Sequence, residues 1–298
     1  MTAGTGPRSE RRQELAAALA DVRARVGAAC TAAGRNASEI TLVAVTKTFP
    51  PSDAALLLEL GVADLGENRD QDAKVKADEL RMAGFTTEGA PAGELPAGEP
   101  TAGELAAAQL ATCGPATSGP ATTGLAADGS AAGNAPTRAA RTVRWHFVGQ
   151  LQTNKAASVA RYAYAVHSVD RPALVDALAR AVARLNRAPI RAFVQVNLDQ
   201  AAGRGGAAAD EVDELSDRIA GATGLELAGL MAVAPLGADP RPAFDRLVAL
   251  STGLQRRHPG ATAVSAGMSD DFADAIGAGA THLRIGSALL GARAEVVG

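Results

Sequence analysis

Eight short apolar runs, separated from one another by stretches of helical periodicity, constrain this chain more than any other feature. They span Ile40 to Lys47, Val62 to Leu65, Val143 to Gly149, Ala163 to Val169, Ile190 to Leu198, Leu225 to Val233, Ala261 to Met268 and His282 to Leu290. The first is continuous and β-branched rather than alternating, the pattern of a parallel strand covered on both faces. Helices are predicted from Pro50-Pro51-Ser52-Asp53 through Leu60, then over Asp70 to Met82, Thr153 to Tyr162, Arg171 to Leu185, Ala207 to Ala222, Arg241 to Arg257 and Asp270 to Ala278. An extra helix, Ser9 to Ala33, carries Leu15, Leu19, Val22 and Val26 at helical spacing, with Gly34 placed to end it. Eight βα units in roughly 240 ordered residues imply an α/β fold of the (β/α)8 TIM barrel kind rather than an open doubly wound sheet.

Two stretches fall outside that pattern. Residues 1–8 read as a disordered tail, leaving 9–298 as a single domain. From Thr86 to Ala140 there is no aromatic residue, no Val and no Ile, and Pro-Ala-Gly-Glu-Leu (91–95) returns as Pro-Ala-Gly-Glu-Pro (96–100) and Thr-Ala-Gly-Glu-Leu (101–105). Such a segment buries too little apolar surface to offset its ordering entropy, so 86–140 is expected to be a flexible, low-complexity insertion on the bottom face of the barrel. The net charge of −3 and the lack of a basic cluster argue against a nucleic-acid partner. Cys30 and Cys113 have no metal-ligand spacing, which suits a reducing cytoplasm. No apolar run reaches the roughly 18 residues that span a bilayer.

In such a barrel the C-terminal strand ends carry the site. Those ends hold Lys47, Asn68, His146 with Gln150, Ser168, Asn197, Met231, Ser265 with Met268, and Arg284 with Gly286 and Ser287. Singly, His146 and Asn197 read as satisfied core polars and Met231 as core filler. Jointly they form a ring of candidate ligand contacts. The chain has four lysines against abundant arginine, so Lys47 is read as chosen for an amine that can lose its proton and attack a carbonyl. Ser265-Ala266-Gly267-Met268-Ser269-Asp270-Asp271 and Arg284-Ile285-Gly286-Ser287 offer backbone N–H groups, hydroxyls and a cation after strands seven and eight, where barrels commonly hold phosphate. A reactive amine facing a phosphate cradle suggests a phosphorylated aldehyde, pyridoxal 5'-phosphate (PLP).

Ala44-Val45-Thr46-Lys47-Thr48, Gly66-Glu67-Asn68, Trp145-His146-Phe147-Val148-Gly149, Leu151-Gln152-Thr153-Asn154-Lys155, Gly229-Leu230-Met231-Ala232, Gly267-Met268-Ser269-Asp270-Asp271 and Arg284-Ile285-Gly286 occur in this order. As a set they resemble the signatures of the pyridoxal phosphate homeostasis protein family. The resemblance implies the type III barrel shared with the alanine racemase N-terminal domain, with PLP joined covalently to Lys47 as a Schiff base. It further implies phosphate held around Ser265, Gly267, Met268, Gly286 and Ser287, Arg284 facing the pyridine nitrogen, and Asn68 and Asn197 lining the ring pocket. Arg69 stands where the family commonly has an aromatic residue, and Arg204-Gly205-Gly206 departs from its usual pattern.

The expected function is intracellular PLP homeostasis, a carrier without robust catalysis, with apo-enzymes that need the coenzyme as acceptors. A cytoplasmic monomer is expected. The alternative is a racemase-like PLP enzyme. That would need a second base across the ring, and the only tyrosines, Tyr162 and Tyr164, sit at a helix end and a strand start.

Overall fold

The computed structural model describes residues 6–91, 141–198, 205–235 and 237–291. Eight parallel strands close into a barrel: β1 (Thr41–Val45), β2 (Asp64–Glu67), β4 (Thr142–Phe147), β5 (Ala163–Val169), β6 (Ile190–Gln195), β7 (Leu225–Met231), β8 (Ala263–Ser265) and β9 (His282–Ile285). β1 pairs with β9 on one side and β2 on the other, and β2 pairs with β4, which completes the ring. The ninth strand, β3 (Thr86–Thr87), lies beside the first two residues of β4, in the slot left open because β2 joins β4 only from Arg144 onward.

Helices fill the crossovers: α2 (Pro51–Glu59), α3 (Asp70–Met82), α4 (Ala156–Val159), α5 (Pro172–Leu185), α6 (Val212–Gly221), α7 (Arg241–Arg257), α8 (Phe272–Ala278) and α9 (Ser287–Leu290). The preceding helix α1 (Pro7–Ala32) buries Leu15, Leu19, Val22, Val26 and Cys30 along one stripe, against α2, α8 and α9. Fully burying a side chain such as Leu15 or Leu19 contributes about 1.5–3 kcal/mol. Gly34, at φ 65°, ends α1: its N–H bonds the Thr31 carbonyl and that of Arg35 the Cys30 carbonyl, both released by the left-handed turn. Arg11 ties α1 to α2 through Asp53 at 2.7 Å and to the end of α9 through the Leu290 carbonyl at 3.0 Å.

The barrel and its extra helix follow the sequence expectation, with corrections at the ends of elements. α1 begins at Pro7, so Pro7 and Arg8, expected in the tail, are helical. The run 282–290 is a strand only to Ile285; the chain then turns through Gly286 into α9. The run 261–268 keeps three residues as a strand. Helix 153–162 is a short 3₁₀ turn (Thr153–Lys155) followed by the single turn α4. Helix 207–222 starts late, at Val212, because Ala207 is held by the end of β6: its N–H bonds the Gln195 carbonyl and its carbonyl accepts from Asn197. Thr86 and Thr87, assigned to the insertion, belong to the sheet. Residues 88–91 of the expected insertion are described as well; its remainder, 92–140, lies outside the described residues.

Apolar packing forms two layers. The larger, between strands and helices, includes Leu56, Leu57, Leu65, Trp145, Phe147, Leu178 and Phe244. The smaller fills the barrel itself with Ala165, Phe193, Ala228, Met231 and Ala263. Alanines keep that interior lining small, and the room they leave is taken by polar side chains.

Candidate functional site

Lys47 stands two residues beyond β1. Val43 and Val45 flank Gly66, where an added Cβ would meet a methyl of each at 3.1 Å, so that strand face is crowded up to the rim. There the chain reverses in a four-residue turn, closed by the Phe49 N–H on the Thr46 carbonyl at 3.0 Å, with Thr48 left-handed at φ 71°. A non-glycine residue in that conformation costs on the order of 1–3 kcal/mol and persists only where its surroundings enforce it. Thr46 supplies the enforcement. Its hydroxyl donates to Glu67 Oε1 at 2.6 Å, and its carbonyl accepts from Lys76 Nζ at 2.7 Å. Lys76 also donates to Glu67 Oε1 at 2.5 Å, and both side chains are buried. Lys47 is half-buried, and among the described residues none takes a hydrogen bond or ion pair from its amine. Sequence reasoning missed this clamp. Its signals were the Glu67 of Gly66-Glu67-Asn68 and the rarity of lysine.

The loops after β8 and β9 lie next to that turn. Ala44 pairs with Ile285, and a Cβ on Gly286 would sit 3.4 Å from the Val45 carbonyl. Gly267 is left-handed at φ 90°, and a Cβ there would press on Ala275 at 2.7 Å, so only glycine lets this loop lie against α8. Its carbonyl accepts the Arg284 N–H at 3.0 Å. The Met268 N–H bonds Asp271 Oδ1 at 2.6 Å, and Ser269 Oγ accepts the Ala288 N–H at 3.3 Å, which joins the two loops. Ser287 is exposed. Gly267, Met268, Gly286 and Ser287 are therefore brought together on the side of the rim that adjoins Lys47.

Asn68 is half-buried just after β2, and Gly149 allows its close packing: a Cβ at 149 would fall 2.1 Å from the Asn68 carbonyl. Asn197 is half-buried past the end of β6, its N–H on the Ala207 carbonyl. Met231, 1% exposed, packs with Phe193 in the apolar interior. His146 differs from the expectation of a rim ligand. Its ring lies inside the barrel with both nitrogens engaged, Nε2 with Asp64 at 2.9 Å and Nδ1 with His167 at 2.8 Å. Neither is left for a ligand, because His146 precedes the end of β4 and its side chain faces the enclosed layer.

That layer holds a continuous polar series. Arg144 grips Asp64 with two bonds of 2.7 and 2.6 Å. His146 joins Asp64 to His167, and His167 Nδ1 reaches Ser265 Oγ at 2.8 Å. Arg284 donates to Ser265 Oγ at 2.7 Å and to the Ala232 carbonyl at 2.9 Å. Burial alone would raise the Asp64 carboxyl, but the bonds from Arg144 and His146 outweigh it and hold it well below the usual carboxylate range. Burial pushes the Arg284 guanidinium down to about 10, so it stays charged at neutral pH.

Burial also pushes the His282 ring down to about 3. His167 is held well below the usual imidazole range by burial, with the neighbouring His146 and His282 adding to it. An unfolded histidine takes up a proton below about pH 6.5, where these two rings in the folded barrel do not. The unfolded state then binds more protons, so stability falls as pH drops below about 6.5, by up to about 1.4 kcal/mol per unit for each ring. The loss for His282 continues to about pH 3. Urea midpoints at pH 7 and pH 5 should differ clearly in the unsubstituted protein and by less in His282→Gln.

Residues 25–294 match the alanine racemase N-terminal domain family. The pyridoxal phosphate homeostasis protein of Mycobacterium tuberculosis is 38% identical over 301 residues, covering 98% of each chain. The chain belongs to the pyridoxal phosphate homeostasis protein family. The Escherichia coli K12 pyridoxal phosphate homeostasis protein is 30% identical over 289 residues, covering 94% of this chain and 97% of its own. PipY of Synechococcus elongatus, solved with PLP bound, superposes with a TM-score of 0.64 at 23% identity, covering 93% of this chain and 100% of its own. That likeness is one of fold: the closed eight-stranded barrel with alternating helices is the alanine racemase N-terminal architecture. Among the described residues no helix is long and apolar enough to cross a membrane.

Proposed function

We propose that this member of the pyridoxal phosphate homeostasis protein family binds PLP at the barrel mouth, covalently through Lys47, and serves its storage and delivery in the cytoplasm without robust turnover of its own. The observation that carries the reading is the contrast between two lysines. Lys76 is buried and committed to Glu67 and Thr46, while the amine of Lys47 has no partner among the described residues, at a rim flanked by the loops of Gly267 and Gly286. PLP bound to the structural relative PipY adds support.

The donor set fits the group. Bound PLP supplies an aldehyde that condenses reversibly with a primary amine, and a dianionic phosphate. Lys47 would hold the aldehyde end; Gly267, Gly286 and Ser287 would hold the phosphate, with Met268 beside them, its N–H taken by Asp271; Asn68 and Asn197 would flank the ring. Arg284 would present its guanidinium to the ring nitrogen, with Ser265, Met231 and His146 behind it. An arginine there donates a hydrogen bond without giving up its proton, which leaves the ring a weak electron sink.

The tyrosines favour a carrier over a racemase. The Tyr162 hydroxyl donates to Asp70 at 3.3 Å. The Tyr164 ring lies 5.7 Å from that of His146, with the guanidinium of Arg144 at 5.9 Å and that of Arg191 at 6.0 Å. Neither is poised to act as a second base beside Lys47. The reading includes a monomer that meets apo-enzymes requiring PLP. Mixing the loaded protein with such an apo-enzyme should restore that enzyme's activity while the donor loses its colour. Racemisation of an amino acid at a steady rate, lost on Lys47 substitution, would instead establish the enzyme reading. Residues 93–136 are proposed to be dispensable for coenzyme binding. Their replacement by a short Gly/Ser linker should leave PLP uptake within about twofold, a difference of roughly 0.4 kcal/mol.

A further inference from the structure

We infer that the barrel interior holds a one-way chain of hydrogen bonds, running from Arg284 through Ser265, His167 and His146 to Asp64, whose task is to seat Arg284. In this chain the Ser265 hydroxyl proton is committed inward rather than to a phosphate. The inference rests on the coenzyme reading above and takes Ser265 away from the phosphate, where the sequence resemblance had placed it.

The direction follows from the two ends. Arg284 can only donate, and Asp64, gripped on both oxygens by Arg144, can only accept. Starting from Arg284, Nη1 donates to Ser265 Oγ at 2.7 Å. Ser265 then gives its single proton to His167 Nδ1 at 2.8 Å. His167 therefore carries its own proton on Nε2, which faces His146 Nδ1 at 2.8 Å. His146 in turn carries its proton on Nε2 and gives it to Asp64 Oδ1 at 2.9 Å. Every proton meets one lone pair. Reversing a single link would set two protons, or two lone pairs, against each other. Reversing the whole series needs an added proton on His146 and leaves the Ser265 proton without an acceptor in a fully buried position.

The surroundings support the same assignment. Beside the two rings stand a third imidazole, His282, 6.3 Å from His167 and 6.4 Å from His146, and the Phe193 ring stacked on His167 at 4.2 Å. The charged or titratable groups facing them are Arg144, Arg191, Arg284, Asp64 and Tyr164. With Arg284 and Arg191 already cationic, a further positive charge in this layer is disfavoured. Ser265 and His167 are thus positioning residues. They fix one edge of the Arg284 guanidinium while the Ala232 carbonyl fixes the other.

Two measurements test this. Long-range ¹⁵N–¹H correlation spectra of the histidine rings, on coenzyme-free and PLP-loaded protein, should show His146 and His167 both protonated on Nε2 alone in both forms. A proton on Nδ1 of either ring, or on both nitrogens of His146, would overturn the assignment. In Ser265→Ala, affinities for PLP and for unphosphorylated pyridoxal should fall together, leaving their ratio within about twofold of the original value. If the hydroxyl served the phosphate, that ratio would instead narrow by about tenfold or more, the loss expected for a hydrogen bond to a charged group. Should the variant fail to fold, the ring spectra of the unsubstituted protein decide alone. A protein that takes up neither aldehyde sinks the coenzyme reading while leaving the ring spectra to judge the chain.

Discussion

Lys47→Ala is expected to abolish covalent retention of PLP completely. Borohydride treatment of the loaded unsubstituted protein should add the mass of one reduced coenzyme to the peptide containing Lys47, and the variant should show no such addition on any peptide. The fold should survive, because the Lys47 side chain is half-exposed and makes no hydrogen bond or ion pair to a described residue. Its removal should fall within the roughly ±0.5 kcal/mol typical of such positions. Lys47→Arg separates charge from reactivity: it keeps a cation on the rim, offers no primary amine, and should be as inert as the alanine variant. An adduct that moves to Lys76 or Lys155 with undiminished yield would mean that the attachment is not set by the site.

Lys76→Met should produce the largest loss of stability among these substitutions. It leaves the Glu67 carboxylate, 1% exposed, without its cation. Breaking a buried pair in this way costs about 3–5 kcal/mol, against a total stability of about 5–15 kcal/mol for a folded domain. The urea midpoint should fall sharply with the slope of the transition unchanged. Adding Glu67→Gln should recover part of the loss, since the buried charge is then gone. The same variant also tests function: without the ammonium on the Thr46 carbonyl, the left-handed Thr48 turn that carries Lys47 loses one of its two anchors. An unfolding free energy within about 1 kcal/mol of the original would show that the pair is not the clamp its geometry describes.

Much of this architecture is legible in the chain because a parallel strand buried on both faces must be apolar throughout, and runs such as Ile40 to Lys47 have few other ways to fold. Helices with strong stripes, such as Arg241–Arg257 and Asp70–Met82, occupy the spans their periodicity suggests. β3 was not legible, because two threonines beside a low-complexity stretch carry no pattern until Thr142 is seen next to them. The rim residues Lys47, Gly267 and Gly286 could be picked out since strand ends in a barrel converge. His167, Glu67 and Lys76 could not, because their meaning lies in pairings 98, 21 and 30 residues distant. A lysine on a helix reads as solvated, and a histidine within a strand reads as a satisfied core polar. A signal did exist for the inner chain: His146, His167 and His282 lie within three different strands, so their rings can meet on one barrel face.

Ring closure of the sheet has a consequence for how this protein behaves in a crowded solution. A strand at an open border presents unpaired N–H and C=O groups on which another molecule can build, the usual route to runaway association of β-rich proteins. Here β1 to β2 and β4 to β9 each have a neighbour on both sides, and the exception, β3, extends over only two residues. Among the described residues the sheet therefore offers no template long enough for another chain to extend.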